Sequence, residues 1–432
     1  MNFYNIHNKR ERVSFKTGVL KGSASDQGLF FPEYIPVLPD SFFRRLESMT
    51  LPDVATSVLK SFMEDDFSDK DLQDICGSAF NFPIPLNPID DHLYVLELFH
   101  GPSLAFKDIG ARFLAEVLKK IAFEQEGSIT VLVATSGDTG SAVAKSFYNV
   151  EGVDVVLLYP SGKVSPLQEK TLTTMDGNIH ALEIDGTFDD CQKLVKTAFS
   201  DQDLKAHKNL TSANSINIGR FLPQVVYYFW AWSQIPPEQR ENVLFSVPSG
   251  NYGNISAGIL AYKMGLPVRK FIAAANVNRV FPDYLNTGHY EPRAAIPTLS
   301  NAMDVGDPSN FIRVMELFGH SHEQVVHMIS GHVASDEETL KAIQELYHQK
   351  HYLSDPHGAV GYLGATSTKK IHSASVFLET AHPAKFKDTV ESAIHDEIEL
   401  PPYLKEIQNM PKKAVQLPPD FHSFKNWLLD VK

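Results

Sequence analysis

From residue 93 onward the chain alternates between short, almost uniformly apolar runs and stretches whose apolar residues recur three and four apart. The runs are LYVLEL (93–98), ITVLVA (129–134), VDVVLLY (153–159), IHALEI (179–184), NVLFSV (242–247), KFIAAA (270–275) and SVFLE (375–379). Apolar runs without period-two alternation, separated by helical stretches, predict parallel strands covered on both faces. The expected class is therefore α/β. Residues 1 to about 80 read instead as mainly helical, with helix starts at Asp40 before FFRRLESM, at Asp53 in the turn before VATSVLKSFM, and at Ser68 before DKDLQDIC. The proline-punctuated NFPIPLNPIDDH (81–92) reads as a boundary. The tail from 395 carries Pro401, Pro402, Pro411, Pro418 and Pro419, which predicts a surface-wrapping segment before a short final helix.

Composition narrows this picture. At 43% hydrophobic and 21% charged residues over 432 positions, the chain is long enough for two or three units and a cleft between them. A formal net charge of -13 and the lack of any Lys/Arg run argue against a nucleic-acid partner. Cys76 and Cys191 lack CxxC spacing, so neither a disulfide framework nor a thiolate metal site is expected. The N-terminal stretch has no signal-peptide core, and no segment reaches the ~18 apolar residues of a membrane span. These features predict a cytoplasmic, soluble metabolic protein with no membrane partner.

One charge stands out. Drawn as a helix, GPSLAFKDIGARFLAEVLKKI (101–121) gathers Leu104, Phe106, Ala111, Phe113, Leu114, Val117, Leu118 and Ile121 on one half, while Asp108, Arg112, Glu116, Lys119 and Lys120 take the other. Lys107 alone breaks the partition by lying in the apolar arc. Such a lysine ordinarily lifts its ammonium to water along an apolar stem. Here the helix is expected to begin at Pro102 or Ser103, so Lys107 falls near the positive end of the macrodipole, and burial adds to the bias. Both effects favour the neutral amine, the form that condenses with a carbonyl.

Two turns echo each other. ATSGDTGSAVA (134–144) and VPSGNYGNISAG (247–258) both follow an apolar strand, read S-G-[D/N]-x-G, and lead into a helix. Glycine-rich strand-to-helix turns present N–H groups to anions, although a lone copy is often only a tight turn. Neither fits a dinucleotide or P-loop pattern. A Schiff-base lysine beside a phosphate-cradling turn is what pyridoxal 5'-phosphate needs. Arg220, in ANSINIGRFLPQVVYYFWAW (213–232), shares one stripe with Asn217 and Gln224 in an otherwise apolar stretch, so its guanidinium faces either an internal carboxylate or a ligand anion. HSHEQVVH (320–327) spaces His322 and His327 five apart where a zinc-binding helix needs four, and no metal is expected. SDPHGAVGY (354–362), containing His357, reads as a turn.

Taken in order, QGLFFP (27–32), ELFHGPSLAFKD (97–108), ATSGDTG (134–140), YPSGKVSPLQEK (159–170), NSIN (214–217), VPSGNYGN (247–254), LSNAMDVG (299–306), DPHGAVG (355–361) and TAHPAKF (380–386) resemble the threonine synthase family nearly end to end. That resemblance implies a two-lobed, parallel-sheet pyridoxal-phosphate enzyme of fold type II, like the tryptophan synthase β subunit. It also implies a family N-terminal domain over 1–88 and a catalytic region over 89–432 with a smaller α/β lobe at about 128–210. The reaction implied is O-phospho-L-homoserine plus water to L-threonine plus phosphate, the last step of threonine biosynthesis. By resemblance, Lys107 carries the cofactor; Gly250, Asn251, Tyr252, Gly253 and Asn254 hold its phosphate; Thr380 lies near the pyridine nitrogen. Tyr252 stands where the family usually has phenylalanine and Asn254 where aspartate is common, and the second change favours an anion. Thr135, Ser136, Gly137, Asp138 and Thr139 match the loop that meets the substrate's amino-acid end. Asn214, Ser215, Asn217 and Arg220, with Lys163, match the region facing the substrate phosphate. A monomer or homodimer is expected. The rival readings are a serine/threonine dehydratase on the same fold, which needs no substrate-phosphate site, and a non-catalytic cofactor-binding homologue.

Overall fold

A computed structural model describes residues 1–124, 127–135, 137–368 and 374–431. Each of the seven apolar runs lies on a strand. The larger sheet is ordered Ile329–Val333, Val268–Ala275, Val243–Pro248, Ala374–Glu379, Leu93–Glu97, Leu86–Asp90; its first five strands are parallel and the last pairs antiparallel. A smaller sheet runs Val415–Leu417, Ile179–Ile184, Val153–Pro160, Ile129–Ala134, Asn209–Ser212, all parallel. Val243–Pro248 and Ile129–Ala134 are buried at every position, as the absence of polar alternation requires. The proline-rich stretch 81–92 thus contributes an edge strand, Leu86–Asp90.

The N-terminal stretch is less helical than its sequence suggests. Phe3–Asn5, Arg12–Val13 and Phe30–Pro32 form a three-stranded antiparallel sheet, in segments too short to show any period. Helix Asp69–Ala79 starts at Ser68 as expected, with a capping box closed by Asp71. Asp53 closes the box of Thr50 from the third position of helix Leu51–Met63. Asp40 is the first residue of helix Asp40–Arg45 and does not cap it; Pro39 occupies that position.

Two further expectations need correction. The helix carrying Lys107 spans Lys107–Glu124 and begins at the lysine itself. Residues 101–106 form a turn in which Leu104 takes φ 59° and the Phe106 N–H donates to the Thr380 carbonyl. Asp108, on the polar half of the wheel, is nonetheless fully buried, because the 101–106 turn folds over it and the Ser103 N–H donates to its carboxylate. Residues 354–362 are the start of helix Pro356–Thr366, whose first turn is capped by Asp355 and opened by a proline at its first position. His322 and His327 belong to the short helix His322–Met328, with His322 Nε2 against the carbonyls of Tyr284 and Leu285 at 3.1 Å each.

The tail forms helix Pro402–Gln408, strand Val415–Leu417 and helix Phe421–Asp430. Ion pairs fasten it to the smaller sheet's neighbourhood: Lys412 to Glu169 (2.6 Å) and Glu183 (2.7 Å), Lys413 to Asp176 (2.6 Å), and Lys425 to Asp201 (2.9 Å).

Candidate active site

The carboxyl ends of the two parallel sheets bring the chemistry-bearing residues together, where such folds gather ligands. Strand Ala374–Glu379 ends at Thr380, whose carbonyl takes the Phe106 N–H at 2.8 Å, so the larger sheet fixes the turn directly before Lys107. The Lys107 side chain is 17% exposed, and its Nζ lies 3.7 Å from Asp138 Oδ2. Burial lowers the amine's pKa below the ordinary lysine value; Asp138 pulls it back up, while Lys385 and Arg220 push with burial.

Asp138 opens helix Asp138–Phe147 behind the first glycine loop, and its awkwardness in an anion-binding loop is resolved by its neighbours. Its Oδ1 pairs with Lys385 Nζ at 2.5 Å, and the Lys385 side chain is 1% exposed. Burial opposes ionisation of Asp138, but the charges of Lys385 and Lys107 outweigh it and hold the carboxyl well below its usual range. In the same loop Thr135 Oγ1 accepts from the N–H groups of Gly137 (3.1 Å) and Gly140 (2.8 Å). Thr139 is half-buried in the helix's first turn, and Ser136 lies outside the described residues.

The second glycine loop offers the clearest anion cradle. Tyr252 takes φ 59° just before helix Gly253–Lys263, and a Cβ on Gly250 would come within 2.6 Å of Met303 Cα. No hydrogen bond is made by the N–H groups of Gly250, Asn251, Tyr252 and Gly253 among the described residues, and they stand at the positive end of that helix, where an anion finds donors. Asn254 adds only its backbone: its amide donates to Pro248 O (2.8 Å) while its Oδ1 accepts from Ile255 N (2.9 Å) and Ser249 Oγ (3.1 Å). The free loop donors and a buried amine of depressed basicity fit the phosphate and aldehyde of pyridoxal phosphate.

The NSIN turn sits between the two loops. Asn214 Nδ2 donates to the Ala134 carbonyl at 3.2 Å, and Ser215 Oγ accepts from Asn251 Nδ2 at 2.6 Å. Asn217 points elsewhere. Its amide bonds Val19 O (3.0 Å) and Ser212 O (2.7 Å), and its Oδ1 caps Gly219, so this side chain ties the turn to the N-terminal unit. Arg220 is buried; one arm of its guanidinium donates to the Ala213 carbonyl while Nε has no hydrogen-bond partner among the described residues, and burial brings its pKa down to about 10. It packs on the lysine-bearing helix at Gly110, where an added Cβ would meet Arg220 O at 2.8 Å. Asp108, one residue past Lys107, accepts from Ser103 N at 2.9 Å, and burial raises its carboxyl to about 6. Lys163 is exposed in the turn after Val153–Pro160 and is not on the wall of the adjoining cleft. That cleft, about 920 Å³, opens outward from Asn214, Ser215 and Asn251 toward Lys21 and Lys196.

Three residues that sequence reading assigned no role complete the surroundings. Lys385 was visible only inside the TAHPAKF motif. Fully buried Arg313 bonds Ser215 O (2.9 Å) and Ile216 O (2.7 Å), holding the NSIN turn from behind. His357 takes the Ala302 N–H on Nε2 (3.2 Å) and meets Asp355 through Nδ1 (2.9 Å), which anchors the loop packed on Gly250.

Comparison with known proteins gives a consistent result. Residues 82–378 match the family model "Pyridoxal-phosphate dependent enzyme", residues 2–80 "Threonine synthase N terminus", and residues 358–427 "Threonine synthase, C-terminal". The chain is 45% identical to the threonine synthase of Haemophilus influenzae, over 99% of this chain and 100% of that one. It superposes on the crystal structure of Escherichia coli threonine synthase with TM-score 0.94 at 43% identity, covering 100% of both chains. A pyridoxal-phosphate-bound threonine synthase from Brucella melitensis gives TM-score 0.93 at 33% identity over 99% of both.

Proposed function

The chain belongs to the threonine synthase family, and on that premise we propose how its residues divide the work. It is a pyridoxal-phosphate-dependent enzyme that converts O-phospho-L-homoserine and water to L-threonine and phosphate. The dehydratase and non-catalytic readings are not favoured beside full-length identity to threonine synthases.

The cofactor, when bound, supplies an electron sink that makes the hydrogens on the substrate's Cα and Cβ removable. Lys107 carries it, and the same amine, once released, moves protons at Cα and Cβ as base and then acid. The observation that carries this role is the amine's burial at the first position of its helix, which lowers its pKa and favours the neutral form. Gly250 through Asn254 hold the cofactor phosphate on backbone N–H groups, and Thr380 stands by the ring nitrogen, where a hydroxyl leaves that nitrogen less fully protonated than a carboxylate would. Thr135 through Thr139 receive the amino-acid end of the substrate. Arg220, with Asn214 and Ser215, takes the γ-phosphate, supported by an Nε without a hydrogen-bond partner among the described residues. Asn217 supports this pocket from behind, and Lys163 is a peripheral member. Loss of phosphate from Cγ, delivery of a proton to Cγ to make the methyl group, addition of water at Cβ and return of the proton to Cα then complete the reaction.

Among the described residues no helix is long and apolar enough to cross a membrane. We place the enzyme in the cytoplasm, as a monomer or homodimer without a nucleic-acid partner, a reading supported by its net charge of -13. The domain division into 1–88 and 89–432, with a smaller lobe at about 128–210, is proposed on the same footing. The test is borohydride reduction of the holoprotein followed by peptide mapping, run beside a phosphate-release assay with O-phosphohomoserine. Fixation on the peptide holding Lys107, with phosphate and threonine produced in equal amounts, is the expected result; fixation elsewhere refutes the assignment.

A further inference from the structure

The site contains two buried lysines and only one of them has work in the reaction. Lys107 and Lys385 approach the same carboxylate from opposite oxygens, at 3.7 Å and 2.5 Å. The nearer lysine is the one outside the chemistry. Its Nζ also donates to Ser103 O at 3.1 Å, in the turn that leads into Lys107, and it sits in the 3-10 turn Pro383–Phe386 just beyond Thr380. One cation is therefore tied to both structures that aim the reactive amine.

We propose that Lys385 is a positioning residue for the reaction: by occupying Asp138 it keeps that carboxylate from pairing fully with the Lys107 amine. The inference rests on Lys107 being the cofactor-bearing residue. A carboxylate between two lysines pairs with the closer one, and that lysine's positive charge offsets part of the carboxylate's potential at the other amine. Without Lys385, Asp138 would turn to Lys107, an ion pair would form, and the amine would hold its proton to higher pH. An opposite charge within about 4–6 Å shifts such a group by roughly 1–3 pH units. The other charges facing Lys107 do not reproduce the effect. Arg220, from the segment Ile218–Phe221, repels the ammonium as Lys385 does but donates to Ala213 and has no ion pair with Asp138. Asp108, on the lysine's own helix, accepts from Ser103. His357, from helix Pro356–Thr366, adds to the field on Asp138, but its ring is engaged by Asp355 and Ala302.

Two variants separate this role from simple support of the fold. Lys385→Met removes the charge and both contacts, whereas Lys385→Gln retains a donor for Ser103 without the charge. Two pH profiles are read for each: kcat of the holoenzyme at saturating O-phosphohomoserine, which reports groups in the substrate complex where the Lys107 amine is free, and the rate at which resolved apoprotein recombines with pyridoxal phosphate, followed by visible absorbance. Both variants are expected to raise the acidic midpoint of each profile by about one pH unit or more, a loss of roughly tenfold in rate below that midpoint. In an Asp138→Asn background the same Lys385 changes are expected to move the recombination midpoint by clearly less, because only the direct repulsion between the two lysines is then relieved. A folded Lys385→Gln protein with an unmoved midpoint overturns the proposal, as does a shift that is undiminished without Asp138. If Lys385→Met does not fold, Lys385→Gln alone decides. Borohydride mapping in parallel detects failure of the Lys107 assignment, which these midpoints do not report.

Discussion

Replacing Gly110 by alanine sets two known magnitudes against each other. Gly110 lies within helix Lys107–Glu124, where alanine is intrinsically better by about 1 kcal/mol. If nothing opposed it, Gly110→Ala would stabilise the protein. The added Cβ, however, would stand 2.8 Å from Arg220 O, 2.9 Å from Arg220 Nε and 3.4 Å from Arg220 Cα. The first of these is a backbone atom, so no rotamer change relieves it, and overpacking of this kind costs about 1–3 kcal/mol. The balance is a destabilisation of about 1 kcal/mol or somewhat more, measurable as a lower urea midpoint of the apoprotein at unchanged m-value. The functional consequence is larger. A guanidinium displaced from a phosphate forfeits a charged hydrogen bond, about 1.5–3 kcal/mol, which lowers kcat/KM for O-phosphohomoserine roughly ten- to hundredfold. The visible spectrum of the bound cofactor should stay as it is. A Gly110→Ala protein that is more stable and keeps its kcat/KM would show that Arg220 neither packs there nor serves the substrate phosphate.

Arg220→Met should lower kcat/KM by at least about a hundredfold with cofactor binding intact; steady-state kinetics on the yellow holoprotein checks it, and near-normal turnover would remove Arg220 from the phosphate pocket. Lys107→Met abolishes turnover, and it should also stabilise the apoprotein near neutral pH. The sign follows from the lowered pKa: the unfolded chain binds this proton more tightly, so the native state carries a penalty that shrinks as pH rises toward the ordinary lysine value. Urea titrations of both proteins across that range should show the variant's advantage fading in alkali. Ser68→Ala removes the cap of helix Asp69–Ala79 and should cost about 1 kcal/mol without changing kcat, as read from denaturation and turnover side by side.

The residues themselves made much of this legible. Buried parallel strands announce themselves because both faces need apolar side chains, which is why all seven runs are strands. Ser68 was readable because a capping box is local chemistry. The three-stranded N-terminal sheet was not, since two- and three-residue strands carry no period. The start of the helix at Lys107 also escaped, because it is set by a bond from Phe106 to Thr380, far along the chain. The same holds for the site. Lys107, the two glycine loops and Arg220 stand out against their immediate neighbours in sequence, whereas Lys385, Arg313 and His357 matter only through partners brought near by folding. Asn217 shows the converse: its place in the motif suggested a ligand contact, and its amide is spent on Val19 and Ser212.

The strand Val415–Leu417 extends a sheet whose other members lie between Ile129 and Ser212. A nascent polypeptide therefore exposes the flank of Ile179–Ile184 until Val415–Leu417 has been synthesised, and the larger sheet likewise waits for Ala374–Glu379 to stand between Val243–Pro248 and Leu93–Glu97. Completion of both sheets accordingly waits on strands made long after their neighbours, and a product released before them would carry unfinished edges of the kind that chaperones and proteases survey.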